Sequence, residues 1–194
     1  MTKLVAITGK MGSGKSQVLN IFKNKGYCVL SADKIYHELL EDKNFVVEIS
    51  KTLCIEPIVV DGKTCLDKKK VASIVFADKQ KLLLLNKTTH PKIMQELFDR
   101  ANKVNGVVLC EIPLLQGSGY EKEFSVVIEV VRDEQESVVS AGLRDNLLQK
   151  QVADRQKFQP KYENNCGITH IIINNDGSIL DLEQKVSAIE NKIL

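Results

Sequence analysis

The feature that most constrains this chain is Gly9-Lys10-Met11-Gly12-Ser13-Gly14-Lys15-Ser16, which fits the pattern G-x-x-x-x-G-K-[ST]. A short apolar run at residues 4–8 precedes it and a helical run at 18–23 follows, the strand-loop-helix context in which such a loop works. Its chemistry explains its composition. Glycines let backbone N–H groups turn inward around phosphate oxygens, Lys15 reaches the β and γ phosphates, and the Ser16 hydroxyl can ligate Mg²⁺. The following helix adds the partial positive charge of its N-terminus. A dinucleotide loop of the G-x-G-x-x-G kind is excluded, because Gln17 stands where its third glycine belongs. The chain also contains neither D-x-x-G nor N-K-x-D, so a guanine-specific switch is not expected.

Further apolar, β-branched runs at residues 28–31, 107–112, 126–131 and 171–174 read as strands buried on both faces, and helical stretches separate them. This pattern predicts an α/β fold, and with the phosphate loop one of the P-loop NTPase type: three layers around a five-stranded parallel sheet, with a helical insertion between the second and third core strands. The insertion is residues 33–105. Within it only 58–60 reads as extended, closed by the turn signal Asp61-Gly62, while 67–76, 79–88 and 91–104 read as helices. Residues 143–165 are rich in Asp, Asn, Gln, Lys and Arg, and are expected to be solvated and mobile. The core is then 1–32, 106–142 and 166–194, in a single domain.

Composition narrows the partners. With 27 basic and 25 acidic residues the formal charge is +2, which argues against nucleic acid bound through bulk charge. At 43% hydrophobic and 27% charged, the chain matches ordinary globular proteins. The first apolar run is too short for a signal peptide or spanning helix, so a cytoplasmic protein without membrane partners, monomeric or weakly oligomeric, is the expectation. The five cysteines form no C-x-x-C pair, which points away from disulfides and thiolate metal sites and towards small buried side chains.

Phosphoryl transfer to a hydroxyl needs an aligned nucleophile, a proton acceptor and cations on the transferring group. Asp33, just after the second strand, is the best-placed base, with helix capping as its competing role. Glu111, ending the third core strand, is an acid placed to approach the metal held by Ser16. Of the four arginines, Arg144 and Arg155 fall in the polar segment, eleven residues or three helical turns apart, where both can face one triphosphate. His90, before Pro91 at an expected helix start, reads by itself as a cap or a packed ring.

These pieces in this order resemble the dephospho-CoA kinase family over nearly the whole chain: residues 7–16, Ala32-Asp33, His90-Pro91, Ile112-Pro113-Leu114-Leu115, Arg144-Asp145, Arg155 with Gln159, and Asn175-Asp176-Gly177. The resemblance implies phosphorylation of the ribose 3′-hydroxyl of dephospho-CoA by ATP with Mg²⁺. It implies a single kinase domain in which the helical insertion 33–105 binds the acceptor substrate and residues 143–165 form a lid, and that Gly12, Ser13, Gly14, Lys15, Ser16 and Gln17 bind ATP with Arg144 and Arg155. Lys15, Asp33 and Arg144 would act in catalysis; Asp33, His90, Pro113 and Leu114 would bind the acceptor. Gln17, Ser31, Gln116, Gly117 and Ser140 depart from the family pattern, which usually has Thr, Asp, an acid after Leu115 and a further Arg at these places. Another P-loop kinase, acting on a nucleoside monophosphate or shikimate, and a weakened ATP-binding module are the alternatives.

Overall fold

The structure is a computed structural model that describes residues 2–193. Its main sheet is built from β1 (Thr2–Thr8), β2 (Cys28–Ser31), β5 (Gly106–Glu111), β6 (Val126–Val131) and β7 (Thr169–Asn174), all parallel, in the order β2-β5-β1-β6-β7. The five predicted strands are present, and the sheet order puts β1, which leads into the phosphate loop, in the centre.

Alternation along the strands sends Val5, Ile7, Leu109, Val126, Ile128, Val130 and Ile173 to one face of the sheet. There they meet Val18, Leu19, Ile21 and Phe22 of α1 (Lys15–Asn24) and Leu182, Val186, Ile189 and Ile193 of α8 (Ile179–Ile193). Most of these side chains are fully buried, so this layer fixes the helix that starts at Lys15.

The chain divides into two compact units, one of residues up to Ser31 and from Arg100 onward, the other Ala32–Asp99. The second holds α2 (Ala32–Leu39), α3 (Lys43–Leu53), β3 (Ile58–Val60), β4 (Lys63–Cys65), α4 (Lys68–Ala77) and most of α5 (Lys79–Ala101). Its own core gathers Phe45, Val46, Ile49 and Leu53 of α3 with Val71 and Val75 of α4. Helix α3, not among the expected helices, is capped by Asp42, whose side chain accepts from the Asn44 N–H at 2.8 Å. The turn Asp61-Gly62, both at positive φ, joins β3 to β4 in an antiparallel hairpin; Asp67 caps α4.

Three expectations need correction. Residues 79–88 and 91–104 do not form two helices: α5 runs unbroken through Pro91. A proline inside a helix deletes one N–H bond; burial of Ile93, Met94, Leu97 and Ala101 along one face supplies a gain to set against it. The cysteines are not mostly buried: only Cys110 is, and Cys54 is exposed at the left-handed C-cap of α3. The polar segment 143–165 is not simply solvated either. It comprises the end of α6 (Glu134–Asp145), α7 (Gln149–Gln156) and a following loop, and Val152, Gln156 and Tyr162 within it are buried. No helix among the described residues is long and apolar enough to cross a membrane.

Candidate active site

The loop leaves β1 at Thr8 and enters α1 at Lys15. Gly12 lies at φ +81° and a Cβ there would collide with the backbone carbonyl of Ser137. Gly14, at φ +96°, is the N-cap of α1 and lies under the side-chain amide of Asn175. Having no side chain, Gly14 offers no cap, so the first N–H groups of α1 are left for an anion. The buried Ser13 hydroxyl has no hydrogen-bond partner among the described residues, an uncompensated cost that a polar ligand would remove.

Lys15 is only 8% exposed, and its ammonium donates to the carbonyls of Gly9 at 2.9 Å and Lys10 at 3.0 Å. The cation is thus folded onto its own loop. Next to it, the Ser16 hydroxyl donates to Oε1 of Glu111 at 3.3 Å. Glu111 ends β5 in register with Ile7 of β1 and Ser31 of β2, at the carboxyl ends of three neighbouring strands. That is where ligands bind in open parallel sheets. Hydroxyl and carboxylate oxygens are what a hard divalent cation takes. Among the described residues no group of three or more His, Cys, Asp or Glu is placed to enclose an ion, so any Mg²⁺ here would keep phosphate and water ligands.

The departure at Gln17 is built into the loop. Its backbone N–H donates to the Gly14 carbonyl at 2.9 Å and its side-chain Oε1 accepts from Nδ2 of Asn175 at 3.2 Å. The same amide of Asn175 donates to the Ser13 carbonyl at 2.9 Å, so Asn175, after β7, braces the loop across the sheet edge. Gln116, another departure, accepts from the Glu163 N–H at 2.8 Å and ties the turn after β5 to the polar segment.

Arg144 forms a two-pronged pair with Asp145, Nε to Oδ1 at 2.7 Å and Nη2 to Oδ2 at 2.8 Å. This bonding holds the Asp145 carboxyl below the usual Asp range, and the charge of Arg155 adds to it. Arg144 and Arg155 are not three turns apart on one helix. Asn146, at φ +53°, ends α6, and Arg155 belongs to α7; both arginines are nevertheless brought near Asp145.

Asp33 is the second residue of α2, exposed, in the first turn. The helix begins one residue before it, so it is not the N-cap, and its carboxylate is left unbonded among the described residues. His90 lies inside α5 rather than at a helix start, and burial pushes its imidazole pKa down, which favours the neutral ring. Pro113 and Leu114 form the half-buried turn after β5 that leads to the fully buried Leu115. Asp33 and His90 belong to the second compact unit, the loop, Glu111, Pro113, Leu114 and the two arginines to the first. Sequence reasoning missed the side-chain work of Asn175 and of Gln156 and Gln159. Gln156 bonds the Met11 carbonyl at 2.8 Å, and no pattern in the chain marks it.

Comparison with known proteins gives the family and the fold. A family model described as dephospho-CoA kinase matches residues 3–181. A dephospho-CoA kinase of Fusobacterium nucleatum is 31% identical over 186 residues, covering 94% of each chain. One of Enterococcus faecalis is 30% identical, covering 96% of this chain and 94% of its own. The crystal structure of a Thermus thermophilus protein superposes with a TM-score of 0.79 at 29% identity, over 100% of this chain and 98% of its own. A dephospho-CoA kinase structure from Campylobacter jejuni gives 0.67 at 28% identity with the same coverage.

Proposed function

The chain belongs to the dephospho-CoA kinase family, and from that premise we propose how its residues divide the phosphorylation of dephospho-CoA by ATP. The reaction moves the γ-phosphoryl group of ATP to the ribose 3′-hydroxyl, leaving CoA and ADP. The observation that carries the assignment of roles is the approach of the Ser16 hydroxyl to Glu111, 3.3 Å apart at the mouth of the phosphate loop.

Gly12, Ser13, Gly14, Lys15, Ser16 and Gln17 hold the ATP phosphates. Lys15 exchanges two neutral carbonyl acceptors, on Gly9 and Lys10, for phosphate oxygens whose charge grows during transfer. Ser16 and Glu111 would hold Mg²⁺, which would supply positive charge against the phosphate oxygens. Asp33 accepts the proton of the 3′-hydroxyl; its unbonded carboxylate, at the start of α2, supports that role. His90, Pro113 and Leu114 bind the acceptor. Residues 143–165 act as the lid. Arg144 gives up its pair with Asp145 to meet the transferring group, and Arg155 joins it.

An ADP-release assay offering dephospho-CoA, AMP and shikimate in parallel tests this reading. Turnover with dephospho-CoA alone is the expected outcome. Turnover with AMP or shikimate, or with none of the three, would overturn it.

A further inference from the structure

The loop and the lid segment meet at the backbone of Met11. Its N–H donates to Oε1 of Gln159 at 2.6 Å, and its carbonyl accepts from Nε2 of Gln156 at 2.8 Å. Gln156 ends α7 and is 3% exposed. Its amide also donates to the Ser137 hydroxyl at 3.1 Å, whose own proton goes to the Glu134 carbonyl. Ser137 is the residue whose backbone closes against Gly12. One amide therefore spans the loop, α6 and α7.

We propose that Gln156 and Gln159 are positioning residues that clamp the Met11 backbone on both sides, through its carbonyl and its N–H, and so set the phosphate loop from the lid side. The Met11 N–H is committed to Gln159, and within the loop the Ser13 N–H donates to the Lys10 carbonyl at 3.2 Å. Arg155 immediately precedes Gln156, so the docking that orders the loop also fixes the stretch of α7 carrying that arginine. ATP binding and lid docking are coupled through the backbone of one residue. The proposal rests on the kinase reading above for its purpose, and on the two hydrogen bonds alone for its structure.

The two glutamines do opposite chemistry, which makes the test selective. Gln159 only accepts, so glutamate can replace it; Gln156 donates, and a carboxylate cannot. The primary readout is amide hydrogen exchange at residues 10–14 of the ligand-free protein, where repulsion between a new carboxylate and ATP plays no part. Gln159→Met should speed exchange about fivefold, the worth of one hydrogen bond, and Gln159→Glu should restore it. Gln156→Met and Gln156→Glu should both speed it. The two methionine variants should raise the Kd of a non-hydrolysable ATP analogue by a similar factor and leave KM for dephospho-CoA unchanged. Equal behaviour of glutamate at both positions, or loop exchange unaffected by the methionine variants, overturns the clamp. If the Gln156 variants do not fold, the Gln159 pair decides by itself. Wild-type protein that binds the analogue without phosphorylating dephospho-CoA would refute the kinase reading instead, with exchange still judging the clamp.

Discussion

The phosphate loop and the segment 143–165 meet at Met11, but they are held in different ways. The loop is set by backbone: left-handed glycines, an approach to the Ser137 carbonyl that admits no Cβ, and an ammonium folded onto two loop carbonyls. The segment is set by a few side chains, Val152 and Tyr162 buried among mostly polar neighbours and glutamine amides reaching the loop. Backbone constraint leaves few residue choices at each position; side-chain constraint leaves many. A region of the first kind keeps its shape when empty, and one of the second kind opens at small cost.

Replacing the loop's cation gives the largest effect that separates the two. Lys15→Ala is expected to lower kcat at least about a hundredfold, as loss of a charge-stabilising group does, while the melting temperature changes little. Near-normal turnover of the purified variant would remove the loop from the chemistry. Asp33 sharpens the comparison from outside both regions: Asp33→Asn should lower kcat by about a hundredfold with ATP affinity retained, because the amide cannot accept a proton. A fall in melting temperature with kcat per folded molecule unchanged would assign Asp33 to the helix instead.

On the segment, Arg144→Ala and Arg155→Ala should each lower kcat by about tenfold, less than Lys15→Ala because one arginine can partly cover for the other. Hydrogen exchange with and without ATP and dephospho-CoA checks the lid itself: added protection should centre on residues 143–148, where α6 gives way to α7. Equal protection in the two states would make this an ordinary surface segment. Val152→Ala leaves a cavity beneath α7 and should cost about 1–3 kcal/mol if the segment unfolds with the core. No change in melting temperature, with faster exchange confined to α7, would show that the segment opens independently.

The smallest effect concerns pH. Arg144 lowers the Asp145 pKa in the folded protein, so the pair's contribution is complete above the ordinary Asp value of 3.8 and is lost as pH falls through the lowered one. In melting curves, the difference between wild type and Asp145→Asn should therefore be constant above about pH 5 and shrink in stronger acid. A difference that persists unchanged at low pH would mean that the ionised pair contributes nothing.

Much of the unit around the main sheet was legible because its residue types have few alternatives. A chain reading β-branched run, G-x-x-x-x-G-K-S, helix can satisfy its glycines only at a tight phosphate turn, and runs such as 126–131 must be covered on both faces. Ser16 and Glu111 were legible as types and as strand-end positions, but their 3.3 Å approach depends on the pairing of β1 with β5. The continuous α5 was not legible, because the propensity of Pro91 to end a helix is local and the burial that overrides it is not. The bonds of Gln156, Gln159 and Asn175 were hidden for a related reason, although Gln159 and Asn175 stand among the residues that carry the family resemblance. An amide side chain carries no sequence signature of its partner, and each reaches a backbone group roughly 150 residues distant along the chain. The sequence by itself therefore determined the phosphate chemistry, the positions of the main strands along the chain and the family, all carried by local pattern. Which amides brace the loop only the tertiary structure decided, because hydrogen bonds between distant segments exist only once the sheet has brought their ends together.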